Sequence, residues 1–371
     1  MKRVLYVQLS SSMGGIESFL MNLTPGLNKL DDYEISVLSD GAGKDLKSFF
    51  EKSDISVLDI PQKKIRRIKF YFKIVFSNKF DIIHFNKNSN ANILLMLMVK
   101  LFSKSKVIVH SHNTKPSFNN KLFVFLNYLN RPVVRKFADK KLAVSRVASD
   151  WLFGSQKSNM TIVRNGIDID TFKYSDHDRV RLRSELGINK NQHVLLHVGR
   201  FTNQKNHQFL IRIFKKIVEQ DNSCVLILVG DGPDKAESEK LVSKLNLSDS
   251  VIFIPKTRHV NYYLSAADIF VFPSLYEGLP ISLVEAEASG IDIVASNTIA
   301  SETSFNSNVY QLDLSSEIKW TQKINELFST INFDSSDYSE YRIRQLRLVQ
   351  KNGFDNKDLV KKMVDIYSDL V

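Results

Sequence analysis

Two glutamates, Glu277 and Glu285, stand eight residues apart in the segment SLYEGLPISLVEAEASG, where they could form an acid/base pair that cuts a bond or could hold a ligand. A retaining glycosidase needs two carboxyl groups roughly 5 Å apart, on either side of the bond that it cuts. Here Pro280 predicts a helix start, so Glu277 lies in a loop and Glu285 lies about 7.5 Å along the helix. That spacing disfavours a hydrolytic pair. It favours two carboxylates that accept hydroxyl hydrogens at either end of an anionic ligand, with free helix amides at Gly278 and Leu279 between them.

Glycines and histidines also follow predicted strands, at the edge where open α/β sheets bind ligands. Gly14 and Gly15 open a helix after the first strand, and free amides there suit an anion. The segment lacks the GxGxxG dinucleotide fingerprint, and a tight turn explains the glycine pair equally well. His110 and His112 end the strand VIVHSHN on one face. No further ligands stand nearby to complete a metal site. Contact with a ligand is preferred over a position in the core, because both histidines stand at the carboxyl end of a strand.

Two cations in HVGRFTNQKN, Arg200 and Lys205, stand between a predicted strand and a predicted helix. A guanidinium fork and an ammonium point charge suit a phosphate group. Solvated surface cations are the alternative. We favour the phosphate site because both residues lie at a strand end where this fold class binds ligands.

Short apolar strands alternate with amphipathic helices along the chain, in two tandem series. The first series contains RVLYVQL, EISVLSD, ISVLDI, DIIHFN, KVIVHSH and KLAVS, and the second contains HVLLHVGR, CVLILVG, VIFIP, DIFVFPS and DIVASN. Unbroken Val, Ile and Leu runs between helices are typical of parallel sheets that are covered on both faces. The predicted fold class is α/β, with two doubly wound, Rossmann-like domains.

The domain boundary is predicted near VRNGIDIDTF, because Asn165-Gly166 is a turn signal. This gives an N-terminal domain at residues 1–166 and a C-terminal domain at residues 167–356. The last helix, at about 357–371, is amphipathic. Its periodicity leaves open which domain it packs on, and a return to the N-terminal domain is one alternative.

Composition limits the class of protein. A chain of 371 residues exceeds one ordinary core, and 43% hydrophobic with 25% charged residues are typical of a folded globular protein. The single Cys224 rules out a disulfide framework and indicates a reducing compartment. The apolar run in MKRVLYVQL is too short for a signal peptide, and no run reaches the ~18 apolar residues of a membrane-spanning helix. These features predict a cytoplasmic protein.

The net charge of +11 is concentrated in the first half of the chain. Residues 1–164 hold 27 Lys and Arg against 12 Asp and Glu, whereas the remainder holds 24 against 28. A basic half calls for a partner with negative charge. The segments PQKKIRRIKFYFKIVFSNKF and NNKLFVFLNYLNRPVVRKF mix cations with aromatic residues, which suits an anionic membrane surface; a solvated helix face is the alternative. No nucleic-acid-binding module is recognised, so nucleic acid is not an expected partner.

The chain resembles the retaining glycosyltransferases of family 4, also called group 1, which have the GT-B fold of two Rossmann-like domains with an interdomain cleft. The motifs of that family appear in order over nearly the whole length. They are GGIESFLMNL, VIVHSHN, NGIDIDTF, VGRFTNQKN, LILVGDGP and AADIFVFPSLYEGLPISLVEAEASG. The spaced glutamates with Glu-Gly-x-Pro are the most specific of these, and the Gly-Gly pair is the least specific.

The resemblance implies catalytic roles for four residues: His112, Arg200, Lys205 and Glu277. The histidine lines the reaction centre, with His110 as the second choice, and Glu277 contacts the transferred sugar. The two cations bind the diphosphate and balance charge on the leaving nucleotide.

The resemblance also implies a donor-binding set. Its members beyond the two cations and Glu277 are Gly14, Gly15, His110, Pro255, Gly278, Leu279 and Glu285. Gly15 approaches the donor phosphate, Gly278 and Leu279 offer amides, and Glu285 takes the ribose hydroxyls. Pro255 stands where the family has glycine, so the backbone donor near the base is missing.

The mechanism implied by the family needs neither a metal nor another cofactor. The incoming hydroxyl attacks from the side on which the nucleotide leaves, through an oxocarbenium-like state, while Arg200, Lys205 and helix amides stabilise the leaving diphosphate. Asp168 and Asp170 form a DID that resembles the metal-binding DxD of other transferases. In this family the position holds an Asn-Gly-x-Asp turn, so no metal role is expected.

The expected reaction is therefore transfer of a hexosyl or N-acetylhexosaminyl group from a nucleotide-diphosphate sugar, expected to be UDP-linked. The acceptor is a glycan or a polyprenyl-diphosphate-linked sugar in cell-surface polysaccharide synthesis, at the inner face of the cell membrane. Two alternatives stay open. One is a sugar-nucleotide epimerase of the same fold, and the other is a non-catalytic protein that binds sugar nucleotides.

Overall fold

The computed structural model describes residues 1–10, 14–113, 121–155, 160–277, 280–299, 306–331 and 336–371. The chain forms two compact units: Met1–Ile167 together with Gly353–Val371, and Asp168–Asn352. The sequence predicts boundaries after residues 166 and 356, which are one and four residues away from those of the structure.

The described part of the first unit contains a sheet of seven parallel strands in the order β3-β2-β1-β4-β5-β6-β7. The strands are β1 (Lys2–Leu9), β2 (Tyr33–Ser39), β3 (Ser56–Asp59), β4 (Ile82–Lys87), β5 (Lys106–Ser111), β6 (Lys140–Ala143) and β7 (Thr161–Ile162). Strand β7 was not predicted, because two residues are too few for a periodic pattern. The order reverses beside β1, since β2 lies on one side of it and β4 on the other.

Helices cover both faces of this sheet, as alternating apolar side chains along the strands require. They are α1 (Gly15–Asn28), α2 (Lys44–Glu51), α3 (Lys64–Phe76), α4 (Leu94–Phe102), α5 (Lys121–Phe137) and α6 (Arg146–Phe153). Helices α1 and α2 pack on the face that includes Val4 and Tyr6. Helices α3 to α6 pack on the opposite face, which includes Leu5 and Ile83.

The described part of the second unit has a sheet of six parallel strands in the order β10-β9-β8-β11-β12-β13. The strands are β8 (Val194–Val198), β9 (Val225–Val229), β10 (Val251–Ile254), β11 (Ile269–Phe272), β12 (Asp292–Ser296) and β13 (Val309–Leu312). The helices are α7 (Ile169–Phe172), α8 (Asp176–Glu185), α9 (His207–Val218), α10 (Lys235–Lys244), α11 (Val260–Ala266), α12 (Ile281–Ser289), α13 (Glu317–Thr330) and α14 (Ser336–Lys351). Here the order reverses at β8, between β9 and β11.

The C-terminal helix, α15 (Asn356–Ser368), belongs to the first unit and packs on α1. Its Met363 and Tyr367 are fully buried in the core that α1 and β1 share. The returning chain passes so close to Gly166 that a Cβ there would lie 2.7 Å from the Asn356 side chain and 3.1 Å from its Cα. This contact requires glycine at the point where the chain leaves the first unit.

Helix α4 is the most apolar helix of the first half, and it was predicted to be buried. Its Met96 and Val99 are buried, but Leu101 and Phe102 are 63% and 53% exposed. The helix therefore also contributes apolar side chains to the surface. Among the described residues, no helix is both long enough and apolar enough to cross a membrane.

Candidate functional site

In the second unit, the reversal of strand order at β8 brings together residues that follow β8 and β11. Lys205 Nζ lies 2.8 Å from Glu277 Oε1. The same ammonium lies 4.4 Å from the centre of the Phe272 ring at the end of β11. Open α/β sheets bind ligands at such reversal points, beyond the carboxyl ends of the strands. Two of the predicted catalytic residues thus occupy the position that the topology favours for a ligand.

The loop after β8 is held by backbone contacts to the loop after β9. Gly230 has φ +149°, and a Cβ there would come within 2.1 Å of the Gly199 carbonyl oxygen. Asn206 adopts the left-handed conformation, with φ 57°, between a short 3₁₀ turn (Asn203–Lys205) and α9. The glycine allows the two loops to touch, and the turn places the Lys205 side chain beside Phe272.

Arg200 differs from Lys205 in its surroundings. It is exposed, and its side chain makes no hydrogen bond or ion pair with another described residue. The side chain of Lys205 is only 15% exposed and is paired with the carboxylate. The loop thus offers one guanidinium without a protein partner and one ammonium that keeps further N–H donors beyond its ion pair.

The second glutamate, Glu285, lies on the second turn of α12, as predicted. It is half-buried and has no hydrogen-bond or ion-pair partner among the described residues. Burial raises the pKa of Glu285 to about 7. The prediction that Pro280 occupies the first helical turn was off by one residue, because Pro280 is the extended N-cap with ψ 102°. Gly278 and Leu279, predicted to offer amides, lie outside the described residues.

A neighbouring carboxylate, Glu287, has a structural position. It is fully buried, and its Oε2 accepts a hydrogen bond from the backbone N–H of Asn306 at 3.2 Å. The side-chain amide of Asn306 donates in turn to the Glu287 backbone carbonyl at 3.2 Å. The two α12 carboxylates therefore differ, because Glu287 is bonded to Asn306 and Glu285 has no partner among the described side chains and backbone groups.

Pro255 follows the end of β10 and is exposed. It has no N–H to donate. The next amide, at Lys256, already donates to Asp231 Oδ2 at 3.1 Å. Neither residue therefore presents an unengaged backbone donor at this strand end.

In the first unit, Gly14 is the extended N-cap of α1, and Gly15 is its first residue. The turn is held by Glu17, whose Oε1 accepts from the backbone N–H of Ser10 at 2.9 Å and from its hydroxyl at 2.6 Å. A Cβ on Gly15 would meet no atom within 4 Å. No packing contact therefore requires glycine at this position, whereas a ligand held by the α1 amides would benefit from it.

His110 and His112 lie on the same side of the strand end, with ring centres 4.1 Å apart. His110 is fully buried beside Phe19, 4.9 Å away. The preference for ligand contact over a core position is thus wrong for His110. Only His112 keeps partial exposure, and its Nε2 lies 2.9 Å from Asn86 Oδ1.

Both histidines are neutral. Burial lowers the pKa of His110 to about 3. Burial, together with the neighbouring His110 and His84, holds the pKa of His112 well below its usual value. Two further neutral histidines of the second unit were not predicted. They are His197, whose pKa burial lowers to about 4, and His207, whose pKa burial lowers to about 2. The feature of the sequence that could have indicated them is their position in HVGRFTNQKNH, where one histidine precedes the two cations and the other follows them.

The DID segment lies at the start of α7. Asp168 is the N-cap of this helix, and its Oδ2 accepts a hydrogen bond from the Thr171 hydroxyl at 2.8 Å. Among the described residues, no group of three or more His, Cys, Asp or Glu side chains is placed to hold a metal ion.

Comparisons with known proteins cover both units. The family model "Glycosyltransferase Family 4" matches residues 13–171, and the model "Glycosyl transferases group 1" matches residues 178–329. A Bacillus subtilis chain named as a glycosyltransferase, EpsF, is 27% identical over 99% of this chain and 96% of its own. The Escherichia coli UDP-Gal:alpha-D-GlcNAc-diphosphoundecaprenol alpha-1,3-galactosyltransferase is 22% identical over 100% of this chain and 97% of its own.

Solved structures agree with these matches at the level of the fold. Anabaena Alr3699/HepE, solved in complex with UDP and glucose, superimposes with a TM-score of 0.82 at 19% identity, covering 100% of both chains. The fold is the two-domain, Rossmann-like GT-B fold. With both family models matched in order along the chain, this protein belongs to the family 4, group 1 glycosyltransferases.

Proposed function

We propose that the chain is a retaining glycosyltransferase that moves a hexosyl or N-acetylhexosaminyl group from a UDP-linked sugar to a lipid-linked or glycan acceptor, in cell-surface polysaccharide synthesis. The observation that carries this proposal is the arrangement after β8 and β11. There Lys205 is paired with Glu277 at 2.8 Å, and the Arg200 guanidinium has no partner among the described residues. The Anabaena structures with UDP and glucose, and the diphosphoundecaprenol in the name of the Escherichia coli relative, support this choice of donor and acceptor.

Lys205 can serve the diphosphate without losing Glu277. An ammonium has three N–H donors, so one can remain with the carboxylate while the others donate to phosphate oxygens. Because an oxygen partner of Lys205 is already in place, the ammonium is oriented before the donor binds. Arg200 adds a planar fork, which is the geometry that a diphosphate takes best.

The proposed step needs no enzyme nucleophile. The acceptor oxygen forms its bond to the anomeric carbon on the face from which the diphosphate departs, and the bond from that carbon to the diphosphate oxygen breaks. The acceptor proton passes to the departing oxygen, so atoms and charge balance. Arg200 and Lys205 stabilise the negative charge that grows on the diphosphate, which is an electrostatic contribution to catalysis. Glu277 accepts hydroxyl hydrogens of the transferred sugar.

Glu285 suits a ligand that donates hydrogen bonds. An ionised carboxylate only accepts, and a half-buried one without a partner is costly. Vicinal ribose hydroxyls would supply two donors. This assignment connects the raised pKa of Glu285 to donor binding, since the carboxylate is mostly ionised only above about pH 7.

We also propose that the first unit docks on the inner face of the cell membrane. Helices α3, α4 and α5 share one face of its sheet and expose large apolar side chains, including Ile65, Phe76, Leu101, Leu122, Phe125 and Leu129, each at least 58% exposed. Exposed cations flank this surface at Lys63, Lys64, Arg66 and Lys69. Arg67 differs from them, because it is paired with Asp40 at 3.1 Å. Apolar side chains beside unpaired cations suit an anionic lipid surface.

The function is tested by nucleotide release from purified protein, with a set of nucleotide-diphosphate sugars and with or without a polyprenyl-diphosphate-linked acceptor. We expect release that depends on both a UDP-sugar and the acceptor. Conversion of the sugar nucleotide to an isomer without release would instead identify an epimerase. Binding of UDP-sugars without any turnover would identify a non-catalytic protein.

A further inference from the structure

Asn86 is a fully buried amide at the end of β4, and no motif predicts a role for it. Its Oδ1 lies 2.9 Å from His112 Nε2. Its Nδ2 lies 3.4 Å from the backbone carbonyl oxygen of Val7 on the neighbouring strand β1. The side chain thus bridges a fixed backbone acceptor and the histidine.

These two contacts determine the orientation of the amide. A backbone carbonyl oxygen only accepts hydrogen bonds, so it must face the Nδ2 group of Asn86. The reverse orientation would set two oxygens against each other and leave both amide donors facing the ring. The carbonyl of Val7 is itself held in place, because Val7 pairs with Phe85 in the β1–β4 ladder.

The amide orientation in turn determines the tautomer of His112. Asn86 Oδ1 can only accept, so His112 Nε2 must carry the hydrogen. In a neutral imidazole the other nitrogen then has the lone pair. This nitrogen, Nδ1, is buried and has no hydrogen-bond partner among the described residues. A buried acceptor without a partner is uncommon in native proteins and calls for an explanation.

We propose that Asn86 is a positioning residue that holds His112 as the Nε2–H tautomer, so that Nδ1 accepts a hydrogen bond from a substrate hydroxyl. The consequence for turnover rests on the proposed function. The tautomer itself does not, because it follows from contacts within the first unit alone.

The surroundings of His112 support this role by keeping the ring neutral and in place. Phe19 approaches its ring at 5.0 Å, and His110 lies 4.1 Å away on the side of the core. Behind them, His84 Nδ1 lies 2.9 Å from the hydroxyl of Tyr367 on α15. Burial and the neighbouring His110 and His84 disfavour a charged imidazole at this position, so Nδ1 is available as an acceptor and does not carry a proton.

The direct test uses the wild-type chain with ¹⁵N-labelled histidine. Long-range ¹H–¹⁵N NMR separates protonated from unprotonated ring nitrogens, and the signals that vanish in His112→Gln identify His112. We expect a protonated Nε2 and an unprotonated Nδ1 near neutral pH. A protonated Nδ1, or a cationic ring, would overturn the proposal whether or not the protein transfers sugar. If the spectrum is as expected but the protein transfers no sugar, the tautomer assignment stands and the proposed function is rejected.

Variants then test the consequence for turnover. Asn86→Leu keeps the branched shape at Cγ and removes the acceptor, so we expect kcat to fall about 10–100-fold, as for partners that orient a functional imidazole. The KM for the donor should change much less. Asn86→Asp keeps an acceptor for Nε2–H, so it should retain the wild-type tautomer and more activity than Asn86→Leu.

The matched control is Asn88→Leu, the same chemical change two residues further along the chain, just after β4, where the side chain is half-exposed. It should leave both kcat and the His112 spectrum unchanged. If Asn86→Leu folds and keeps wild-type kcat, or if its His112 spectrum equals that of the wild type, Asn86 does not position the ring. If Asn86→Leu does not fold, the wild-type spectrum alone decides, because a protonated Nδ1 on His112 would reject the positioning role.

Discussion

The two units carry different kinds of side chains at the carboxyl ends of their strands, the edge of each sheet where a ligand is expected. At the edge of the second unit, Lys205 is paired with Glu277, whereas Arg200 has no partner in the part of the chain that the structure describes. At the edge of the first unit, His112 is held neutral beside the buried amide of Asn86. The same strand topology therefore supports full charges in one unit and neutral hydrogen bonds in the other. A diphosphate needs the first kind, and sugar or acceptor hydroxyls need only the second.

The largest effect should come from removing the cations of the second unit. We expect Arg200→Ala and Lys205→Ala each to lower turnover about 10²–10³-fold, because each removes a group that stabilises charge on the leaving diphosphate. Nucleotide release under saturating acceptor measures this. Lys190→Ala, an exposed lysine of the same unit without an ion pair, is the control. Near-normal turnover in both variants would reject the diphosphate site.

The two cation variants should differ in stability. Arg200 is exposed and unpaired, so its loss should leave the melting temperature almost unchanged. Loss of Lys205 leaves the Glu277 carboxylate, 9% exposed, without its cation, and a cost of about 1–3 kcal/mol is typical for a buried group left unpaired. Restoration of the melting temperature by adding Glu277→Gln to Lys205→Ala would support this explanation. Equal melting temperatures for the two single variants would contradict it.

Much of this charged edge was predictable, and much of the neutral edge was not. Charged residues after a strand, as in HVGRFTNQKN, are informative because open α/β sheets bind ligands at the carboxyl ends of their strands. The environment of a histidine depends instead on which helices cover it. The buried position of His110 follows from packing of α1 against the strands, and α15 completes that core through Tyr367. Local periodicity does not assign α15 to either domain. Because α15 forms part of the core on this side of the sheet, the burial of His110 could not be predicted.

The strands show the same limit. Long runs such as HVLLHVGR predicted β8, because a fully buried parallel strand needs an unbroken apolar stretch. Strand β13 was missed, since its four residues are only partly buried and include Gln311. Asn86 was missed for a further reason. Asparagine is common at strand ends and in loops, so its position in the sequence does not indicate a role. Its hydrogen bonds to His112 and Val7 are what distinguish Asn86, and they are seen only in the structure.

The next largest effect concerns the surface that α3, α4 and α5 form on the first unit. We expect the protein to bind vesicles that contain anionic lipid, and binding to fall as salt rises. Each exposed cation near such a surface contributes up to about 1 kcal/mol. Co-sedimentation should therefore weaken strongly in a variant with four Lys or Arg changed to Gln: Lys63, Lys64, Arg66 and Lys69.

A control with the same charge change separates docking from a general charge effect. It replaces four exposed lysines of the second unit with Gln: Lys190, Lys240, Lys244 and Lys319. Its vesicle binding should match the wild type. Equal loss in both variants would indicate attraction by net charge alone, and equal binding to neutral and anionic vesicles would reject the electrostatic part of the proposal.

A smaller effect should appear in the pH dependence of donor binding. The pKa of Glu285 is raised to about 7 by burial, so its carboxylate becomes protonated as the pH falls below 7. If the ionised form accepts the ribose hydroxyls, affinity for UDP should weaken by up to about tenfold per pH unit below that value. Glu285→Gln should bind UDP weakly and without this pH dependence. Calorimetric titration of UDP at pH 6 and pH 8 measures both, and a wild-type affinity that rises on acidification would contradict the assignment.

The smallest expected effect is that of a chelator. The charge on the leaving diphosphate is met by Arg200 and Lys205, which supply two positive charges from the protein itself. Asp168, in the segment that resembles a DxD, already accepts the Thr171 hydroxyl at a helix start. We therefore expect EDTA to leave nucleotide release unchanged, and added Mg²⁺ or Mn²⁺ not to raise it. The sharper form of this test uses Arg200→Ala, because a divalent cation that restores part of its turnover would show that the lost contribution was positive charge on the diphosphate. Turnover of the wild type that EDTA abolishes and Mn²⁺ restores would instead assign that charge to a metal.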